Sequence, residues 1–141
     1  MGKRIIFMIT LFVGVGACGG SAIAFLSVQP LLDGETYLGL TTAMLQQTPF
    51  RTFLVPGIFL ALVLGLGNLL TALLIIREDA FYLSMVMGGC LIAWILIQVA
   101  LLQKINILHL IFLLIGFWQL LLSKHLIRAC HQQVPFSAHQ N

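Results

Sequence analysis

Four long apolar runs occupy most of this chain, and nearly every charge falls between them. Ile5 to Val28, Thr52 to Ile76, Ala80 to Gln103 and Ile105 to Ser123 contain no Asp, Glu, Lys or Arg. A helix rises about 1.5 Å per residue, so about 20 residues cross the roughly 30 Å hydrocarbon layer of a bilayer. Each run is long enough, the fourth by a narrow margin. Lipid offers the backbone no hydrogen bonds, so a spanning run must close its own as a helix. The chain is 60% hydrophobic and 8% charged, whereas soluble domains carry about 25% charged residues. A water-soluble fold of this composition would expose large apolar patches. The expected fold is all-α: an integral membrane four-helix bundle with spans at 5–28, 52–76, 80–103 and 105–123, in a single membrane domain.

Orientation follows from where the cations fall. Lys3, Arg4, Arg77, Lys124 and Arg128 gather on one side of the expected bundle, against Arg51 and Lys104 on the other. The positive-inside rule then puts both termini in the cytoplasm, with a long extracytoplasmic loop at 29–51 and a cytoplasmic tail at 124–141. Glu78 and Asp79 beside Arg77 count little in that rule. The net charge of +3, so placed, suits anionic headgroups and not nucleic acid. The expected partners are the lipid bilayer and another membrane protein or a second copy. Met1-Gly2-Lys3-Arg4 and the apolar residues after it resemble a signal peptide, and Val15-Gly16-Ala17-Cys18 resembles a lipoprotein cleavage box. Apolar character continues past Cys18 to Val28, which favours a retained first span. Between Tyr37 and Gln47, Leu38, Thr41, Thr42 and Leu45 fall on one helical face, so this stretch reads as a short interfacial helix or as a loop over the bundle. Pro30 and Asp33-Gly34 signal a turn before it, and Pro56 sits early enough in span two to be cheap.

Gly14-Val15-Gly16-Ala17-Cys18-Gly19 matches a dinucleotide-binding fingerprint letter for letter, but it lies inside an apolar span without the required strand before it. Its meaning is steric. Gly16 and Gly20, then Gly57, Ala61 and Gly65, and Gly88 with Gly89 supply small surfaces on which helices can approach closely. They are expected to form packing seams within the bundle or against a partner.

Polar residues inside spans are the best pointers to function in a membrane protein. Asn68, Gln98, His109 and Gln119 are the candidates. Gln98 and His109 lie within about 8 Å of the outer face and flank the turn at Lys104. Asn68 and Gln119 lie in the inner halves of their spans. Either pair can form an interhelical hydrogen bond, and all four can line a ligand pocket with Trp94 and Trp118. Every Asp and Glu lies outside the spans, which argues against a proton-coupled exporter. The three cysteines, Cys18, Cys90 and Cys130, form no Cys-x-x-Cys pair. His125, Cys130 and His131 fit no common metal spacing, and Lys124 and Arg128 repel a cation. Ser21 and Ser84 have no evident base. No enzyme, cofactor or metal site is expected.

Thr48-Pro-Phe-Arg-x-Phe-Leu-Val-Pro-Gly57, the glycine-rich span that follows, Gly88-Gly89, Trp94-Ile95 and Ile97-Gln98 resemble a group of uncharacterised small bacterial four-helix membrane proteins, distantly DoxX-like. The resemblance covers residues 48 to 120. It implies a four-helix fold in a bacterial cytoplasmic membrane and transfers no site residues. The leading expectation is a non-enzymatic accessory or interaction component working through helix–helix contacts. The alternatives are a carrier or binder of a small lipophilic molecule in an enclosed central cavity, and a membrane self-protection protein.

Overall fold

In the computed structural model, residues 2–46, 48–75, 80–103 and 105–133 are described. The expected links at Arg77-Glu78-Asp79 and at Lys104, and the last part of the tail, fall outside them. Among the described residues the chain is all-helical, and four helices are long and apolar enough to cross a membrane: Gly2–Leu32, Leu54–Leu74, Ala80–Leu102 and Ile107–Gln132.

The first begins as α1, Gly2–Leu26, and resumes as α2, Val28–Leu32. The break has a covalent cause. Pro30 has no N–H to give Leu26, and its ring crowds that carbonyl. Ser27 bridges the break, its hydroxyl donating to the Ala24 carbonyl at 2.7 Å. Gly34, at φ +81°, ends α2: its N–H donates to Leu31 at 3.2 Å while that of Glu35 donates to Pro30 at 2.9 Å. These paired bonds form a Schellman cap.

Of the two readings of this stretch, residues 37–46 take the loop. Tyr37 and Leu40 exchange backbone hydrogen bonds across a tight turn, with Leu38 at φ +47° and Gly39 at φ +84°. Two successive positive φ values are the signature of a type I′ turn. Leu38 is 73% exposed and Leu45 7%, so they share no face. A single 3₁₀ turn, Thr42–Leu45, follows.

The second span comprises α3 (Leu54–Phe59), a π-helical segment (Leu60–Leu66) and α4 (Gly67–Leu74). Pro56 is the third residue of α3, where the missing N–H would have had no partner in any case. The third span is α5, Ala80–Leu102, and the fourth is α6, Ile107–Gln133. The fourth span therefore runs about ten residues beyond the expected boundary at Ser123. Leu126, Ile127 and Cys130 pack onto a buried cluster of Ile6, Ile75, Ala80 and Phe81. That packing holds the last turns of α6 helical where hydropathy alone predicts a tail.

Glycines set the helix spacing. A Cβ added at Gly14 would lie 2.8 Å from Leu69, at Gly20 3.0 Å from Leu60, at Gly65 2.8 Å from Cys18 Sγ and at Gly57 2.9 Å from Ala24. As the numbers rise along α1 they fall along the second span, so the two run antiparallel. Across α5 and α6, a Cβ on Gly88 would lie 3.1 Å from both Gly116 O and Leu120 N. Here backbone meets backbone, the close approach that small residues permit between membrane helices. The core has three layers: the Ile6–Phe81 cluster, a middle layer of Val13, Ala17, Leu64, Leu91, Trp94 and Ile95, and Ala24, Leu31, Leu45 and Phe53 under the loop.

Candidate functional site

The four polar residues of the spans fall into the two pairs named above, and only one of these pairs is joined by a hydrogen bond. Asn68 on α4 and Gln119 on α6 are fully buried, and Gln119 Nε2 donates to Asn68 Oδ1 at 3.1 Å. The same amide nitrogen donates to the Ser84 carbonyl at 3.1 Å, so one side chain ties α6 to both α4 and α5. Asn68 Nδ2 donates to the Leu64 carbonyl at 2.9 Å, at the π-helical segment. Ser84 and Ser123 complete the cluster, their hydroxyl oxygens 2.9 Å apart. Ser123 Oγ also lies 2.7 Å from the Gln119 carbonyl. One hydroxyl proton serves one of these contacts at a time. Gln119 Oε1 has no partner among the described residues. None of its four side chains lines the cleft described below. It is a clasp, and its chemistry is structural.

Gln98 and His109 form the other group, and they are not hydrogen-bonded to each other. Asn106 caps α6, its side-chain oxygen 3.5 Å from the Leu108 N–H. The Asn106 N–H donates in return to His109 Nδ1 at 3.1 Å. This reciprocal arrangement is a capping box with histidine in the place of the usual Glu or Gln. Because Nδ1 accepts, the neutral ring carries its proton on Nε2.

Gln98 and His109 both line a cleft between α1, the π-helical segment, α5 and α6. Its inner part holds about 220 Å³, walled by Val13, Ala17, Leu64, Leu91, Ile95 and Phe112 among others. Its outer part holds about 700 Å³ and reaches beneath the Leu38–Leu40 turn to Phe53 and Pro56. Gly20, Leu60, Trp94, Gln98, Leu108 and His109 line both parts, so the two adjoin. The cleft is open on one side, and it excludes Asn68 and Gln119. Two of the four polar residues thus border one space, which is open on one side where an enclosed cavity was expected.

Small residues make the space. A Cβ on Gly16 would meet only the Phe112 ring, at 3.7 Å, which is ordinary contact. Gly16 and Gly20 thus form one wall of the cleft. Gly57, Gly65 and Gly88 sit at tight seams within the chain, Ala61 is half-buried in the π-helical segment, and Gly89 meets nothing within 4 Å. Trp94 lies at the centre of the cleft. Its ring stacks on Phe59 with centroids 4.5 Å apart, the residue is 9% exposed, and its indole N–H is buried with no partner among the described residues. Trp118, expected beside it, is 64% exposed and lines no part of the cleft.

Sequence reading missed Ser123 and Gly116, and weighed Ser84 only as a nucleophile. Serines raise no signal in an apolar span because their hydroxyls can bond their own helix. Gly116 stood alone, without the four-residue repeat that marked the others. Among the described residues no group of three His, Cys, Asp or Glu could hold a metal ion, and Cys18, Cys90 and Cys130 are free thiols. The chain matches no protein-family model, no curated protein and no solved structure, and nothing in those comparisons bears on the DoxX-like resemblance.

Proposed function

We propose that this is a non-enzymatic multipass membrane protein that binds or carries a small lipophilic molecule in the cleft between α1, the π-helical segment, α5 and α6. The observation that carries the reading is the cleft itself: apolar walls, two glycines leaving its space, and a few converging polar groups. That is the usual make-up of a small-molecule site, and the outer part falls within the usual volume range of about 300–1,000 Å³. A π-helical segment along its edge adds support, since such turns concentrate at functional sites. The distribution of cations favours the orientation in which the start of α1 and the end of α6 face the cytoplasm and the Leu38–Leu40 turn faces outward. A bacterial cytoplasmic membrane is the proposed location.

The test is a titration of undecane into the protein in detergent micelles, followed through methyl resonances. Leu60 and Leu64 signals should shift and saturate. Gly16→Leu, which fills the cleft without a backbone clash, should abolish the saturation while leaving the fold intact. Shifts that rise linearly and equally in all lipid-facing methyls would contradict the proposal.

A second reading, association with another membrane protein or a second copy, draws on the fourth span, the least buried of the four. Its exposed face includes Leu110, Leu114, Phe117, Trp118 and Leu121. The glycine seams support this reading less, because Gly57, Gly65 and Gly88 are occupied within the chain. Crosslinking through cysteines placed at Leu114 and Leu121 in vesicles would reveal such an interface.

A further inference from the structure

We infer that the cleft selects a neutral amphiphile carrying a carbonyl oxygen, with the Trp94 indole N–H, the His109 Nε2–H and the Gln98 amide as the groups that recognise it. This inference rests on the reading of the cleft as a binding site and adds the chemistry of its occupant.

Hydrogen-bonding capacity points the way. The Trp94 indole is a donor only, and its N–H is buried with no acceptor among the described residues, so a carbonyl meets it by displacing the side chain that covers it. His109 spends its one acceptor, Nδ1, on the Asn106 N–H, so what it has left is a donor. Gln98 brings an amide NH₂ and a single oxygen. Among these three side chains donors therefore outnumber acceptors, and a buried donor left unmatched costs about 1–3 kcal/mol. The group that answers this surplus is an acceptor with two lone pairs and no proton of its own: a ketone, ester or amide carbonyl. A hydroxyl would bring a further donor into the same space.

Charge narrows the class. Among the described residues no Lys, Arg, Asp or Glu lines either part of the cleft. Burying a carboxylate or an ammonium without a counter-ion is far more costly than burying a carbonyl that finds a donor. Apart from Asn106 at the rim of the outer part, the rest of the lining is aliphatic, glycine, proline, methionine and aromatic carbon, which suits an alkyl tail. The open side lets that tail extend toward lipid. The carbonyl would sit where α5 and α6 bring Trp94, Gln98 and His109 to one wall, at the junction of the inner and outer parts.

The experiment compares 2-undecanone with undecane, a pair differing only by the carbonyl. The protein in detergent micelles, labelled with ¹⁵N at tryptophan, shows two indole signals, and Trp118→Phe identifies that of Trp94. The ketone should move the Trp94 indole proton downfield, saturably, and leave Trp118 unmoved. It should bind about threefold to tenfold more tightly than undecane, the worth of one net hydrogen bond. His109→Leu and Gln98→Leu should each reduce that preference while undecane still binds. Equal affinity for both compounds with a stationary indole signal would overturn the inference yet leave the cleft reading standing. Binding of neither compound would remove both. An indole signal that moves in Gln98→Leu without any ligand would show that Gln98 already satisfies the donor, and would overturn the assignment. Tighter binding of dodecanoate at pH 8 than of the ketone would overturn the neutrality of the ligand.

Discussion

Replacing Gln119 by leucine should loosen three helices at once, and its partner Asn68 should report why. Leucine is close to glutamine in length, so the change removes the amide and keeps most of the packing. The lost contacts run from Nε2 to Asn68 Oδ1 at 3.1 Å, to the Ser84 carbonyl at 3.1 Å and to Ser84 Oγ at 3.4 Å. An interhelical hydrogen bond in a membrane is worth roughly 0.6–2 kcal/mol. Asn68 Oδ1, fully buried, is left without its donor, which adds about 1–3 kcal/mol. Removing Gln119 Oε1, buried with no partner among the described residues, returns part of this, so Gln119→Leu should cost about 1–3 kcal/mol. Asn68→Leu should cost less, because Gln119 keeps the Ser84 carbonyl. The double variant removes donor and acceptor together and should cost about 1–2 kcal/mol less than the two singles added. Unfolding in mixed micelles of rising SDS content, followed by Trp94 fluorescence in a Trp118→Phe background, measures all four corners of the cycle. A coupling below about 0.3 kcal/mol, which is what independent sites give, would refute the clasp.

Other outcomes follow from single contacts. Gly65→Ala places its Cβ against Cys18 Sγ and should cost about 1–3 kcal/mol; in a Cys18→Ala background the same change should cost clearly less, and equal costs in the same SDS unfolding assay would contradict the seam. Leu38→Gly removes a side chain from a left-handed backbone conformation at an exposed position and should raise stability by about 0.5–1 kcal/mol, read as a higher thermal midpoint; a fall would show that Leu38 contributes packing. His109→Gln preserves the capping-box acceptor and should leave stability unchanged, whereas His109→Leu should lose about 1 kcal/mol; equal loss in both would show that the cap is not formed through Nδ1.

The existence and rough extent of the helices were legible because lipid imposes one rule, the exclusion of charge, that hydropathy reads directly. Their ends were not. Lys124, His125 and Arg128 interrupt the apolar run of α6, yet they are exposed while Leu126, Ile127 and Cys130 turn toward the Phe81 cluster. A helix that leaves lipid keeps only one apolar face, and a search for continuous apolar runs stops too early. Depth along the spans placed Asn68 level with Gln119 and Gln98 level with His109. It did not distinguish a closed clasp from an open cleft, because that difference depends on what surrounds each pair. Ser84 and Ser123 close the first; Gly16 and Gly20 open the second. The π-helical segment and the left-handed Leu38 carry no local signature, since Leu60–Leu66 and Leu38 are composed as ordinary helix and loop.

The central claim is that the polar residues within the spans do two separate jobs, and cysteine accessibility tests it most directly. In a background lacking Cys18, Cys90 and Cys130, single cysteines at positions 68, 98, 109 and 119 are exposed to a lipophilic maleimide in reconstituted vesicles. Cysteines at 98 and 109 should react in the folded protein, and those at 68 and 119 only after SDS unfolding. Equal reaction at all four positions, or faster reaction at 119 than at 98, would contradict it.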